Sequence, residues 1–207
     1  QQSSLVTPLY QHLPTWVSAW PLTAPQHRQL LLGFINVLQA DKQGQLVLQA
    51  TTRFVRTFSQ DGGAGVLGVD EEAVVKEALQ FALTSSLEHF GDRVNLYEAL
   101  ASLPAASKAG GDIAALTNLL KIYVEGSLAD LSPFLTAHPA LLTTYPSLSR
   151  GDMETKLRLL ALCAHVSSKN ERVLSYSKVG EVAGVTAEDV EELVIEAIAS
   201  GLMDAHS

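Results

Sequence analysis

The chain has 207 residues, with 14 Lys and Arg against 22 Asp and Glu and a formal net charge of −8, a balance that argues against general binding of nucleic acid or other polyanions. Apolar residues make up 47% of the sequence and charged residues only 17%, below the roughly 25% usual for globular domains, so disorder is excluded and extra buried surface is expected. The length allows one large domain or two small ones, with a core that needs neither disulfide nor metal.

Helical periodicity runs almost end to end. Trp16 and Trp20 stand one turn apart, which puts both rings on one face with Leu13 to pack against the next helix, a partner hot spot being the alternative. Leu30, Leu31, Phe34, Ile35 and Leu38 paint one face of a helix that starts at a capping-box pair, Thr23 and Gln26, with Pro25 in the first turn. Leu46 to Phe58 keeps the same spacing through Leu48, Phe54, Val55 and Phe58. A long helix opens at Asp70, Glu71 and Glu72, carries Val75, Leu79, Ala82 and Leu83 inward, and is expected to end near Gly91. A shorter piece covers Val94 to Leu103. Pro104 to Asp112 breaks the pattern, and Ile113, Leu116, Leu119, Leu120, Tyr123 and Val124 resume it, followed by a short helix over Leu128 to Phe134. Such an order predicts stacked antiparallel helical pairs, as in an α-solenoid of the HEAT or TPR kind.

The polar stretch Ser149 to Asp152 marks the expected boundary between a helical-repeat part, residues 1–150, and a second part, residues 151–207. There, Met153 to Val166 is apolar on most sides and reads as a helix buried between the two parts. A helix over about Ser175 to Ala183 stops before Gly184. Thr186 and Asp189 then cap a helix whose Val190, Leu193, Val194, Ala197 and Ile198 point inward, with Gly201 as its C′ residue. Leu202 and Met203 read as the start of a strand. Helix, short helix, turn, helix, strand is the order of a winged helix-turn-helix cut off at its wing.

No pattern carries catalytic or cofactor chemistry. Gly63 to Gly68 spells a G-x-G-x-x-G, but a helical stretch precedes it instead of a strand, and Asp70, Glu71 and Glu72 would repel a phosphate at the helix they open. The six histidines form no metal-ligand spacing. Cys163 and His165 point to different sides of a helix, which leaves Cys163 as a packing residue and provides no nucleophile and base pair. The acidic runs sit at helix starts, where the macrodipole explains them. The last helix exposes Glu188, Glu191, Glu192 and Glu196, which a phosphate-lined groove rejects, so direct nucleic-acid binding is not expected. A lone cysteine points to a reducing compartment, cytosol or nucleus, and the cytoplasm is the setting expected. No apolar run reaches membrane-spanning length, and the start at Gln1, without Met or a targeting signal, reads as part of a longer protein.

Three stretches carry a family resemblance. TAEDVEELVIEAIASGLM, Thr186 to Met203, is similar to the final signature helix of PCI domains. LLKIYVEGSLADLSPFLTAHPALL, ending at Leu142, resembles the helical hairpin before their winged helix. LPTWVSAWPLT, Leu13 to Thr23, is similar to a W-x-S-x-W-x-L-T stretch of one PCI subfamily, the M subunits of eukaryotic translation initiation factor 3. From about Leu13 onward the chain therefore resembles a PCI protein, of the kind found in the proteasome lid, the signalosome and that factor. Two departures stand out: the glycine-rich segment Gln60 to Val69, and an end at Ser207, where the family continues through the wing.

The resemblance implies a non-catalytic scaffold subunit without metal or cofactor, assembling with other PCI subunits of initiation factor 3 and, through the complex, on the small ribosomal subunit. PCI proteins join through their winged helices, and a wing strand offers unpaired backbone groups that a neighbour can extend. The partner-binding candidates are therefore Leu202, Met203, Asp204 and Ala205, with Tyr176 and Lys178 nearby. The alternatives are a PCI subunit of the signalosome or the lid and, from another class, a winged-helix nucleic-acid binder.

Overall fold

A computed structural model describes residues 6–60, 67–103, 111–169 and 174–199. Among them are eleven α-helices and no strand: α1 Val6–Ala19, α2 Ala24–Ala40, α3 Gly44–Gln60, α4 Val69–Thr84, α5 Phe90–Ala101, α6 Asp112–Glu125, α7 Leu128–Ala137, α8 Leu141–Thr144, α9 Arg150–Lys169, α10 Tyr176–Ala183 and α11 Ala187–Ala199. A single 3-10 turn, Leu87–His89, precedes α5. The protein is all-α over these residues, as its periodicity predicts.

Local capping sets the helix starts. The Gln26 Oε1 accepts from the Thr23 N–H and hydroxyl, each at 3.0 Å, at the start of α2. Asp130 does the same at α7, accepting from the Ser127 N–H at 2.7 Å and its hydroxyl at 2.8 Å. At α4 the Glu71 carboxylate takes the Gly68 N–H at 2.7 Å, so the positive end of the helix is answered by its own first turn.

The chain divides into two compact units. The first comprises Gln1–Ala82 and Gly91–Leu120. Within it α2 turns back along α3 through Asp41–Gln43, where Lys42 takes a left-handed φ of 55°. Leu31, Ile35, Leu38, Leu48, Phe54, Val55, Leu79, Leu96 and Leu116 form its buried interior. The rings of Phe54 and Phe58 meet edge to face at 5.3 Å, and the Arg28 guanidinium covers Phe58 at 4.2 Å. Arg93 of α5 is wholly buried in this unit, its Nε donating to the Ala82 carbonyl.

The second unit comprises Leu83–Phe90 and Lys121–Ser207. Here α10 packs on both α9 and α11, and α7 packs on α9. Its core gathers Leu87, Leu159, Leu162, Val179, Ala183, Val190, Leu193 and Ala197.

Four expectations need correction. The long helix ends at Thr84 instead of near Gly91, because Ser86 turns extended (ψ 161°) and the Lys156 ammonium takes the carbonyls of Leu83 and Thr84; Gly91 lies within the first turn of α5. Trp20 sits past the end of α1 and is 48% exposed, so Leu13 alone of that trio is buried. Helix α9 is not buried on most sides: Met153, Leu157, Leu159 and Leu162 line its buried face while Ala161 and Ala164 are exposed. Ile198 points outward, as described below. The expected strand at Leu202 and Met203, the C′ residue Gly201 and most of the linker from Pro104 fall outside the described residues.

Candidate docking surface

The second unit contains the helix-turn-helix the sequence predicts. Ser175 caps α10, its hydroxyl accepting from the Lys178 N–H at 3.4 Å. Gly184 ends α10 in the left-handed region at φ 63°, ψ 40°, and the Val185 N–H closes back on the Gly180 carbonyl at 3.1 Å. Thr186 then starts α11, its hydroxyl donating to Asp189 Oδ2 at 2.8 Å. The two helices approach closely at Gly180. A Cβ there would lie 3.2 Å from Val190 Cγ2 and 3.3 Å from the Val185 carbonyl oxygen, so a side chain would require these neighbours to give by a few tenths of an ångström.

Of the partner-binding candidates, the structure places two. Tyr176 opens α10 and is 61% exposed. Lys178, two residues on, is half-buried, and its Nζ pairs with Glu181 Oε2 at 2.9 Å. That hydrogen bond and charge hold the exposed Glu181 carboxyl below its ordinary range. Leu202, Met203, Asp204 and Ala205 lie outside the described residues.

Helix α11 shows what the sequence reading left unread. Val190, Leu193 and Ala197 face the core, while Ile195 is 61% exposed and Ile198 37% exposed. Glu188, Glu191, Glu192 and Glu196 are exposed beside them, and the helix contains no Lys or Arg. Ile195 falls off the inward spacing set by Val190, Leu193, Val194 and Ala197, which is the signal that could have marked it. In the position where a DNA-reading helix carries cations, this one carries carboxylates and two isoleucines.

Elsewhere the chemistry is sparse. Helix α3, not a strand, precedes the glycine-rich segment, whose residues 61–66 lie outside the described ones. Among the described residues no group of three His, Cys, Asp or Glu is placed to hold a metal ion, and no helix is long and apolar enough to cross a membrane. Cys163 is half-buried, and burial pushes its thiol pKa up, away from reactivity. A cavity of about 30 Å³ beside Tyr123, Ser147, Asp152 and Lys156 has room for a water molecule and is far below the few hundred Å³ of a ligand pocket.

The described residues thus define an all-helical fold in which α10 and α11 form a helix-turn-helix with an acidic outer helix. Its relatives are M subunits of eukaryotic translation initiation factor 3: the chain is 29% identical to that of Neosartorya fischeri and 30% identical to that of Aspergillus oryzae, over 201 residues and 95% of its length in each case. It is 23% identical over 190 residues to the M subunit of Nematostella vectensis, covering 92% of the chain. The likeness to subunit M thus extends over almost the whole chain, and the subunit is the one the LPTWVSAWPLT stretch points to. The chain spans 40%, 41% and 46% of the length of these three curated relatives. No protein-family model and no solved structure matches it.

Proposed function

We propose that the chain is part of a non-catalytic scaffold subunit of translation initiation factor 3, a PCI protein that holds other PCI subunits in place on the small ribosomal subunit in the cytoplasm. The observation that carries this reading is the similarity to M subunits over 95% of the chain. The helix-turn-helix of α9, α10 and α11 is in keeping with a winged-helix part over residues 151–207. Its acidic outer helix fits assembly with protein better than contact with phosphate.

Assembly is assigned to the segment after α11. Leu202, Met203, Asp204 and Ala205 would form the free edge that a neighbouring subunit extends, with Tyr176 and Lys178 of α10 beside it.

The reading is tested by tagging the full-length protein, recovering it from cell extract and identifying what stays bound after a moderate salt wash. Initiation factor 3 subunits and small-subunit ribosomal proteins are the expected set. Signalosome or lid subunits in their place would keep the PCI class and overturn the choice of complex, and nucleic acid without either would overturn both. Met203→Asp is expected to lose the partners while keeping helix content by circular dichroism; normal recovery of partners with this variant would sink the edge-strand assignment.

A further inference from the structure

We propose that the exposed face of α11 is a docking surface for a partner protein, and that it takes a helical segment with an apolar stripe bordered by Lys and Arg. The inference is independent of which complex the protein belongs to. It rests on how this one helix is built.

The inner face of α11 is used up by the core of its unit, through Val190, Leu193 and Ala197. On the outer face the residues separate along the axis. Glu188, Glu191 and Glu192 occupy the first two turns, and Ile195 and Ile198 follow at i+7 and i+10 from Glu188, with Glu196 at the edge. A 13-residue helix is about 20 Å long, so the carboxylates and the isoleucines lie side by side on one strip that a single partner helix can cover.

Among the described residues both halves of the strip are unfinished. Glu188 with Glu191 and Glu192, and Glu192 with Glu196, are like charges at i+3 and i+4 spacing, which repel on a helix. None of the four makes an ion pair among the described residues. Ile195 stays 61% exposed beside them. A partner bringing cations at turn spacing relieves the repulsion, and one bringing Leu or Ile next to those cations covers Ile195 and Ile198. RNA supplies the wrong charge, and an acidic or uncharged amphipathic helix leaves the glutamates unanswered.

The test places a photoreactive group on the strip of the full-length protein. An Ile195→p-benzoylphenylalanine variant is expressed in cells, irradiated, and its adducts sequenced by mass spectrometry. The expected adduct is a protein segment with Lys or Arg at three- or four-residue spacing beside apolar residues. Adding Glu188→Lys, Glu191→Lys and Glu192→Lys should cut the adduct yield about tenfold, the loss expected when complementary charge turns to repulsion. Reversing the matching cations of the partner segment to Glu should restore it. Circular dichroism and thermal unfolding of the exposed-face variants are expected to match the parent, which separates lost docking from lost folding. An adduct with RNA, with an acidic or purely apolar segment, or no adduct above background overturns the proposal, as does a yield indifferent to the charge reversal.

Discussion

The Lys156 ammonium lies 2.7 Å from the main-chain oxygen of Thr84, and 3.0 Å from that of Leu83, so one cation of α9 answers the carbonyls at the end of a helix some 72 residues earlier. Carbonyls at a helix C-terminus lack intrahelical partners and sit at the negative end of its dipole, which is where a positive donor helps. Lys156→Met keeps most of the stem and removes both bonds. We expect a loss of about 1 kcal/mol, read as a fall of about 2–4 °C in the melting temperature. An unchanged melting temperature would show that water replaces the ammonium at no cost.

Gly184 offers a test of the turn between α10 and α11. Its φ is 63°, and a Cβ placed there meets nothing within 4 Å, so any cost of a side chain is conformational and not steric. Gly184→Ala should cost about 1 kcal/mol. Gly184→Asn should recover much of that, because asparagine tolerates the left-handed region. Denaturant unfolding of the three proteins checks the order; equal midpoints for Ala and Asn would mean that the turn shifts to another conformation.

Asp130 carries a pH dependence whose sign follows from its partners. The Ser127 N–H and hydroxyl donate to its carboxylate and hold the pKa below the ordinary 3.8. A folded-state pKa that is depressed contributes stability in full above the unfolded value and loses it as pH falls through the folded one. Asp130→Asn should therefore be less stable than the parent at neutral pH, and the two should converge in acid, below 3.8. Unfolding midpoints taken stepwise through that range, beside a carboxyl NMR titration, check it. A gap that persists in acid would assign the effect to the amide rather than to lost charge.

Arg93 is expected to be the costliest substitution in its unit. Its side chain is wholly buried and its Nε donates to the Ala82 carbonyl. Arg93→Ala both opens a void and strands that carbonyl, and we expect a loss of about 3 kcal/mol. Arg93→Lys should not rescue it, since a compact ammonium lacks the planar fork of donors. Equilibrium unfolding of both variants decides, and full rescue by Lys would mean that only the charge matters there.

These residues also mark where the sequence was legible. Thr23 with Gln26 and Thr186 with Asp189 announced α2 and α11 because a cap is made by residues three apart, all visible in one short window. The end of α4 was not, because part of what holds it is Lys156, far along the chain. Arg93 looked like any surface cation on an amphipathic helix until packing enclosed it. The four-residue α8, Leu141–Thr144, was too short to show a period. At the candidate surface, the glutamates of α11 are plain from composition, but Ile198 keeps the inward spacing and is nevertheless exposed, while Ile195 falls off it. Which of two apolar residues faces out depends on the rotation of the helix about its axis, and Val179, Ala183 and the rest of the core set that rotation.

The absence of Lys and Arg from α11 has a practical consequence for mapping this protein's neighbours. Lys178 is the last lysine or arginine up to residue 207, so amine-reactive cross-linkers have no anchor on the acidic strip and trypsin does not cut within it. Interaction maps built on lysine chemistry will show this helix as silent. Carbodiimide or hydrazide reagents, which join carboxylates, with cleavage by a glutamate-specific protease, are the combination that reads it.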